Sequence, residues 1–338
     1  MTPTLAALAG WPLLVGLVLA LGGVAARLFI VPRLPRRDIG PSEPMGGATV
    51  DAATGVDETR GAAAPTENDP TTGAAATTWA HAATGADAAA RIGLAGALLL
   101  PPALGLVFVR QLLEFRDPFV PWREDARLLL FGTAWGATWL WALAASVVCA
   151  AGFALAARGL RSGWWLGAPA ALLLGFFPAL TGHASGAGGL RWLTITADGL
   201  HVYAAGAWLG GLAFVLYADR RTRRSAAAGA LPVLVPLFSR VAVACVATLI
   251  LTGTLAAWIH MPGVGAFVSA PYGRLLGLKL ILALSVFGLG AVNWRRLTTR
   301  LSDAGGSGER ALRRVATVEL WLAQIVLLVT AALVRTAP

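Results

Sequence analysis

Long apolar runs separated by short basic or polar breaks organise the chain. The runs read as helices at 8–31, 89–111, 128–156, 164–184, 196–218, 232–259, 273–294 and 312–335. Each is close to the ~20 residues with which an α-helix, rising 1.5 Å per residue, crosses about 30 Å of hydrocarbon. The apolar residues are continuous rather than alternating, which predicts helices and not a barrel. The expected fold is an all-α membrane protein, a bundle of about eight transmembrane helices. The first run lacks a basic stretch before it and is followed by one, so it reads as a retained span rather than a cleavable signal.

The breaks set the topology. Arg33, Arg36 and Arg37 follow the first run, Arg158 and Arg161 the third, and Arg220, Arg221, Arg223 and Arg224 the fifth. Arg295, Arg296, Arg300, Arg310, Arg313 and Arg314 lie between the last two. These are alternate loops, and basic residues favour the cytoplasm, so both termini are expected to be extracytoplasmic. In an opposing loop, Arg116, Arg123 and Arg127 are offset by Glu114, Asp117, Glu124 and Asp125. Residues 38–88, rich in Ala, Thr, Gly, Pro and Asp, read as a disordered cytoplasmic linker that includes an inert His81. The chain then divides into a first helix with its basic end (1–37), the linker (38–88), helices two to four (89–184) and helices five to eight (185–338).

An internal repeat runs through these spans. LGGVA (Leu21 to Ala25) in the first helix matches LGGLA (Leu209 to Ala213) in the fifth, and AWG ending at Gly136 parallels PYG ending at Gly273. The two offsets differ by about the length of 38–88, as an insertion there would produce. The pattern predicts two parallel four-helix repeats. The register that aligns the LGG motifs sets Leu13 opposite His201 and Gly10 opposite Asp198, so the second half alone carries the polar residues.

Composition removes the soluble alternatives. Hydrophobic residues make up 57% of the chain and charged residues 13%, against roughly 25% charged in a soluble domain. The net charge of +10 sits in the short clusters between spans, so it marks orientation in a lipid bilayer and not a nucleic-acid partner. Cys149 and Cys245 both lie within apolar runs and form no CxxC, which argues against a structural disulfide. No nucleophile elbow, phosphate loop, HExxH or paired-carboxylate arrangement is present, and the chain is expected not to be an enzyme.

Ionisable groups inside spans cost perhaps 2.5–3.5 kcal/mol on insertion scales and are functional candidates by default. His183 ends the fourth span, while Asp198 and His201, on one face of the helix about one turn apart, begin the fifth. The short loop between them makes the two helices adjacent and antiparallel, with both imidazoles in the outer leaflet. Imidazoles suit copper and zinc, and a nearby carboxylate fixes a tautomer or completes the ligand set. The alternative is structural: His183 caps a helix end and Asp198 pairs with His201 or Arg191. His260 and Met261, at the outward end of the sixth helix, offer imidazole and thioether to a soft cuprous ion, or else His260 and Trp258 form an interfacial belt. Trp208 lies two turns below His201 and floors the site. Lys279, Asn293 and Glu319 complete the polar set, either as a relay towards the cytoplasm or as helix–helix contacts.

These motifs resemble a known family. The stretch from GHAS through DGLHVYAAGAWLGGL, FSRVAVACVATLILTGTLAAW, YGRLLGLKLILAL and NWRRLTTRL to VELWLAQIVLLVTAALV is similar to the copper-resistance D (CopD) family of bacterial inner-membrane proteins, over about residues 181–335. The resemblance implies copper handling, as Cu(I) or Cu(II), at an outer site of His183, Asp198, His201 and Trp208, with Lys279, Asn293 and Glu319 as the polar helix positions. No fused copper-binding β-domain is expected from this sequence, and the resemblance then implies delivery by a separate periplasmic copper chaperone. Three functions follow: copper import across the inner membrane, b-type haem electron transfer on the same histidine pair, or supply of copper to an oxidase without transport.

Overall fold

A computed structural model describes residues 3–34, 70–182, 188–224, 230–261, 263, 265–297 and 307–336. Among these, eight helices are long and apolar enough to cross a membrane: α1 (Leu8–Arg33), α2 (Gly85–Phe115), α3 (Ala134–Ala157), α4 (Ser162–Thr181), α5 (Arg191–Arg224), α6 (Leu231–His260), α7 (Pro271–Ala291) and α8 (Gly308–Leu333). No strand occurs among the described residues. The expected bundle is therefore present, and its departures from the apolar runs have local causes. The third run breaks in two, because Trp122–Phe131 forms a separate short helix. Thr133 then starts α3 by accepting a hydrogen bond from the Gly136 N–H at 2.9 Å, an N-cap that marks a helix start regardless of hydropathy. The α4 helix is interrupted at Phe176, where Pro178 removes one of the i to i−4 bonds. The helix that contains the α2 span begins at Pro70, so residues 70–88 of the segment read as a linker are helical, while 38–69 and the side chain of His81 lie outside the described residues.

The two halves meet at the LGG motifs. A Cβ on Gly210 would lie 2.6 Å from the Gly22 Cα, and one on Gly22 would collide with the Gly210 backbone. The helices α1 and α5 thus cross in backbone contact that only glycine permits. A π-helical turn, Gly206–Gly210, sits in α5 at the crossing. The second repeat motif is equally concrete. A Cβ on Gly136 would meet the carbonyl of Leu129, and one on Gly273 the carbonyl of Ala266, each seven residues earlier. Both glycines therefore let a short preceding helix, Trp122–Phe131 or Ala266–Ser269, fold back onto the start of a span. Packing between the halves follows the same symmetry: α1 against α8 mirrors α5 against α4, and α2 against α5 mirrors α6 against α1.

Within the halves the symmetry fails at one seam. The first half is a closed ring, α1 on α2, α2 on α3, α3 on α4 and α4 on α1. Phe153 fills the α2–α3 seam at Gly93, Phe108 stacks on Trp139 at 4.9 Å, and the Trp139 indole donates to the Leu104 carbonyl at 2.9 Å. In the second half α5 packs on α6, α7 on α8 and α8 on α5, but among the described residues no comparable packing joins α6 to α7. The register that places Gly136 on Gly273 puts Gly290 at the place of Phe153 and Leu276 at that of Trp139. Without those aromatic rings the two helices make few close backbone approaches, and Met261 and Ala257 meet α7 only at its start.

Ion pairs tie the ends. Asp219, fully buried, accepts from Arg223 at 3.0 Å, from Arg313 of α8 at 3.4 Å and from the Ala230 N–H at the start of α6 at 3.1 Å. At the opposite end Glu114 pairs with Arg110 and with Arg335 beyond α8. Cys149 and Cys245 are buried and free.

Candidate metal site

The upper part of α5 is divided into two faces by what it packs on. Gly199 lies against the ring of Phe176, and Tyr203 meets the same ring edge-on at 5.4 Å. This face belongs to α4. At 3.6 residues per turn His201 is about 160° away from both, and it points to α6. The expected adjacency of the fourth and fifth helices holds, yet the His201 imidazole turns away from the helix that leads to His183. His183 itself lies outside the described residues.

His201 Nδ1 and Thr252 Oγ1 are 2.9 Å apart. The direction of that hydrogen bond can be deduced. Thr252 spends its single hydroxyl proton on the carbonyl of Thr248 at 2.7 Å, the back-bonding usual for threonine within a helix. Its oxygen is therefore an acceptor, His201 Nδ1 carries the proton, and the lone pair sits on Nε2. Gly253 leaves room beside the ring, since a Cβ there would be 3.7 Å from His201 Cε1.

Further polar groups are linked to this imidazole in a chain from Lys279 to Asp198 to Tyr272. Lys279 of α7, half-buried, is within electrostatic range of both His201 and Asp198. Tyr272, buried at the start of α7, is within range of Asp198. Met261 packs near Tyr272, Leu276 and Leu333. His260, half-buried, lies eight residues beyond Thr252 on α6, about 12 Å along the axis.

Below the site, Trp208 is buried and stacks on Phe287 of α7 at 5.0 Å with a 45° tilt. Glu319, also buried, faces α7 at Gly290, whose Cβ would be 3.9 Å from its Oε2. Gly290 is eleven residues past Lys279, about 16 Å along α7, so the structure separates Glu319 from the His201 group with an aromatic pair between. Asn293 lies on the helix that continues α7, and its side chain is outside the described residues.

The structure thus gathers Asp198, His201 and Lys279, and adds Thr252, Tyr272 and Phe287, which the sequence did not single out. The signal for Thr252 was the Thr-x-x-x-Thr spacing with Thr248 on an otherwise apolar helix. Among the described residues no three His, Cys, Asp or Glu side chains stand together as a ready ligand set.

Residues 232–333 match the family model of copper resistance protein D, CopD. The match takes in α6, α7 and α8 with Thr252, His260, Met261, Lys279, Asn293 and Glu319, and it begins after His183, Asp198, His201 and Trp208. No curated protein and no solved structure matches the chain.

Proposed function

Taking the match to the copper resistance D family model as the premise, we propose that this multi-pass membrane protein binds copper through His201 and admits it from the extracytoplasmic side of the bacterial inner membrane. The single observation that carries this reading is the hydrogen bond from His201 to Thr252. Metal-ligating histidines donate their second ring N–H to a fixed acceptor, which orients the ring and makes the ligating nitrogen more basic. His201 is arranged in that way before any metal arrives, with Nε2 as the donor atom. Asp198, His183 from the α4–α5 connection, and the His260–Met261 pair at the end of α6 are the further donors proposed. The combination of imidazole, carboxylate and thioether suits copper in either oxidation state. The sparse packing between α6 and α7 supports passage, because helices with few close backbone approaches can part more readily. The basic loops orient the bundle with this end outward. The protein acts by binding, without a catalytic step, and a periplasmic chaperone is its proposed source of metal.

The test is metal content and the visible spectrum of the purified full-length protein. Wild type should retain copper, and His201→Ala should lose it. Equal copper in both proteins would refute the assignment, and a haem absorption band abolished by the same substitution would make the site a haem site. Copper flux in proteoliposomes then separates import from metal supply: binding without flux would favour a protein that hands copper to a partner.

A further inference from the structure

At the end of the bundle where α5 finishes, Tyr217, Arg220, Arg221 and Arg224 line a recess of about 360 Å³. Their spacing of i, i+3, i+4 and i+7 places all four on one face of α5, away from the buried Asp219–Arg313 contact. Arg221 is anchored, reaching Asp87 of α2 at 3.1 Å and the Tyr217 oxygen at 3.5 Å. Because Arg221 donates to that oxygen, the Tyr217 hydroxyl keeps its own proton to donate. Asp87 is also engaged by Arg91 at 2.8 Å, so one carboxylate answers two guanidinium groups. Among the described residues no carboxylate pairs with Arg220 or Arg224, both exposed. Among the described residues the recess is thus lined by three guanidinium groups and a phenol, and the charges of Arg220 and Arg224 have no carboxylate against them.

The geometry points to a binding site for a phosphate-bearing anion, the headgroup of an anionic phospholipid. Guanidinium groups pair with phosphate oxygens through two parallel N–H bonds. The position also fits, since the recess lies where α5 passes from apolar to charged residues, the depth at which basic pockets between helices hold acidic headgroups. A lipid there would brace α5 against α2 beside the Arg221–Asp87 bridge. Nothing in this inference depends on copper.

The experiment uses the full-length protein in detergent, offered equimolar phosphatidylglycerol and phosphatidylcholine and examined by native mass spectrometry, with inorganic phosphate as a separate titrant. Wild type should retain phosphatidylglycerol with a roughly tenfold preference. Arg220→Gln/Arg224→Gln should retain both lipids equally. The control, Arg158→Gln/Arg161→Gln, removes the same charge from exposed arginines outside the recess and should keep the preference. Saturable phosphate binding that the first variant abolishes, without lipid preference, would assign the site to a soluble phosphate instead. Loss of preference in both variants would reduce the effect to net charge and overturn the site, as would equal lipid retention by wild type with no phosphate binding.

Discussion

The two halves of this bundle share a path through the membrane and differ in what fills them. In the first, Leu13 and Ala142 are buried among apolar neighbours, and Phe153 closes the α2–α3 seam. At the corresponding places the second half carries His201, Lys279 and Gly290, and its α6–α7 seam is sparsely packed. One half is thus built as an apolar scaffold, while the other gathers the ionisable groups. The lesson is that a duplicated four-helix unit can afford ionisable groups in one half while the apolar interior of the other maintains the assembly.

Substitutions can break or sharpen this contrast. The largest effect is expected where the halves touch. Gly210→Val would drive a side chain into Val18 and Gly22, and fluorescence-detected size exclusion should show loss of the folded peak. Phe153→Ala should come next, since it opens a cavity in the closed half. A truncation of this kind costs about 3–5 kcal/mol, visible as a large fall in thermal stability with copper stoichiometry unchanged in the protein that remains folded. Thr252→Val touches only the second half. It keeps the shape but removes the acceptor for His201 Nδ1–H, and copper affinity should fall about 10–100-fold in a chelator competition while stability barely moves. Thr252→Ser should restore the affinity. Gly253→Ala should do least: its methyl would sit at ordinary contact distance from His201, leaving both copper affinity and melting temperature close to wild type.

The span count was legible because each span is an apolar run and hydropathy reads such runs directly. The breaks within spans were not. Thr133 ends one helix and starts another by a side-chain hydrogen bond, and the π turn at Gly206–Gly210 leaves no hydropathy trace. The repeat was readable from small residues alone because Gly22 and Gly210 occupy the one crossing where any side chain is excluded. For the site, charge inside a span exposed Asp198, His201 and Lys279 individually. The rotation of His201 about α5 depends on which neighbour takes Gly199 and Tyr203, and spacing along one helix carries no information about that. Thr252 escaped for a related reason, since a hydroxyl on an apolar helix looks the same whether it bonds its own backbone or also receives an imidazole.

Asp219 has a consequence for biogenesis. Its contacts with Arg223 and Ala230 come from nearby chain and form early, but Arg313 is supplied by the last span, more than ninety residues later. During synthesis the fully buried carboxylate thus waits for α8 to emerge from the translocon before its set of partners is complete. The final helix acts as a latch, and a chain halted before it would leave this acid short of a partner at the end of the bundle, a mark by which quality control can tell an unfinished protein from a finished one.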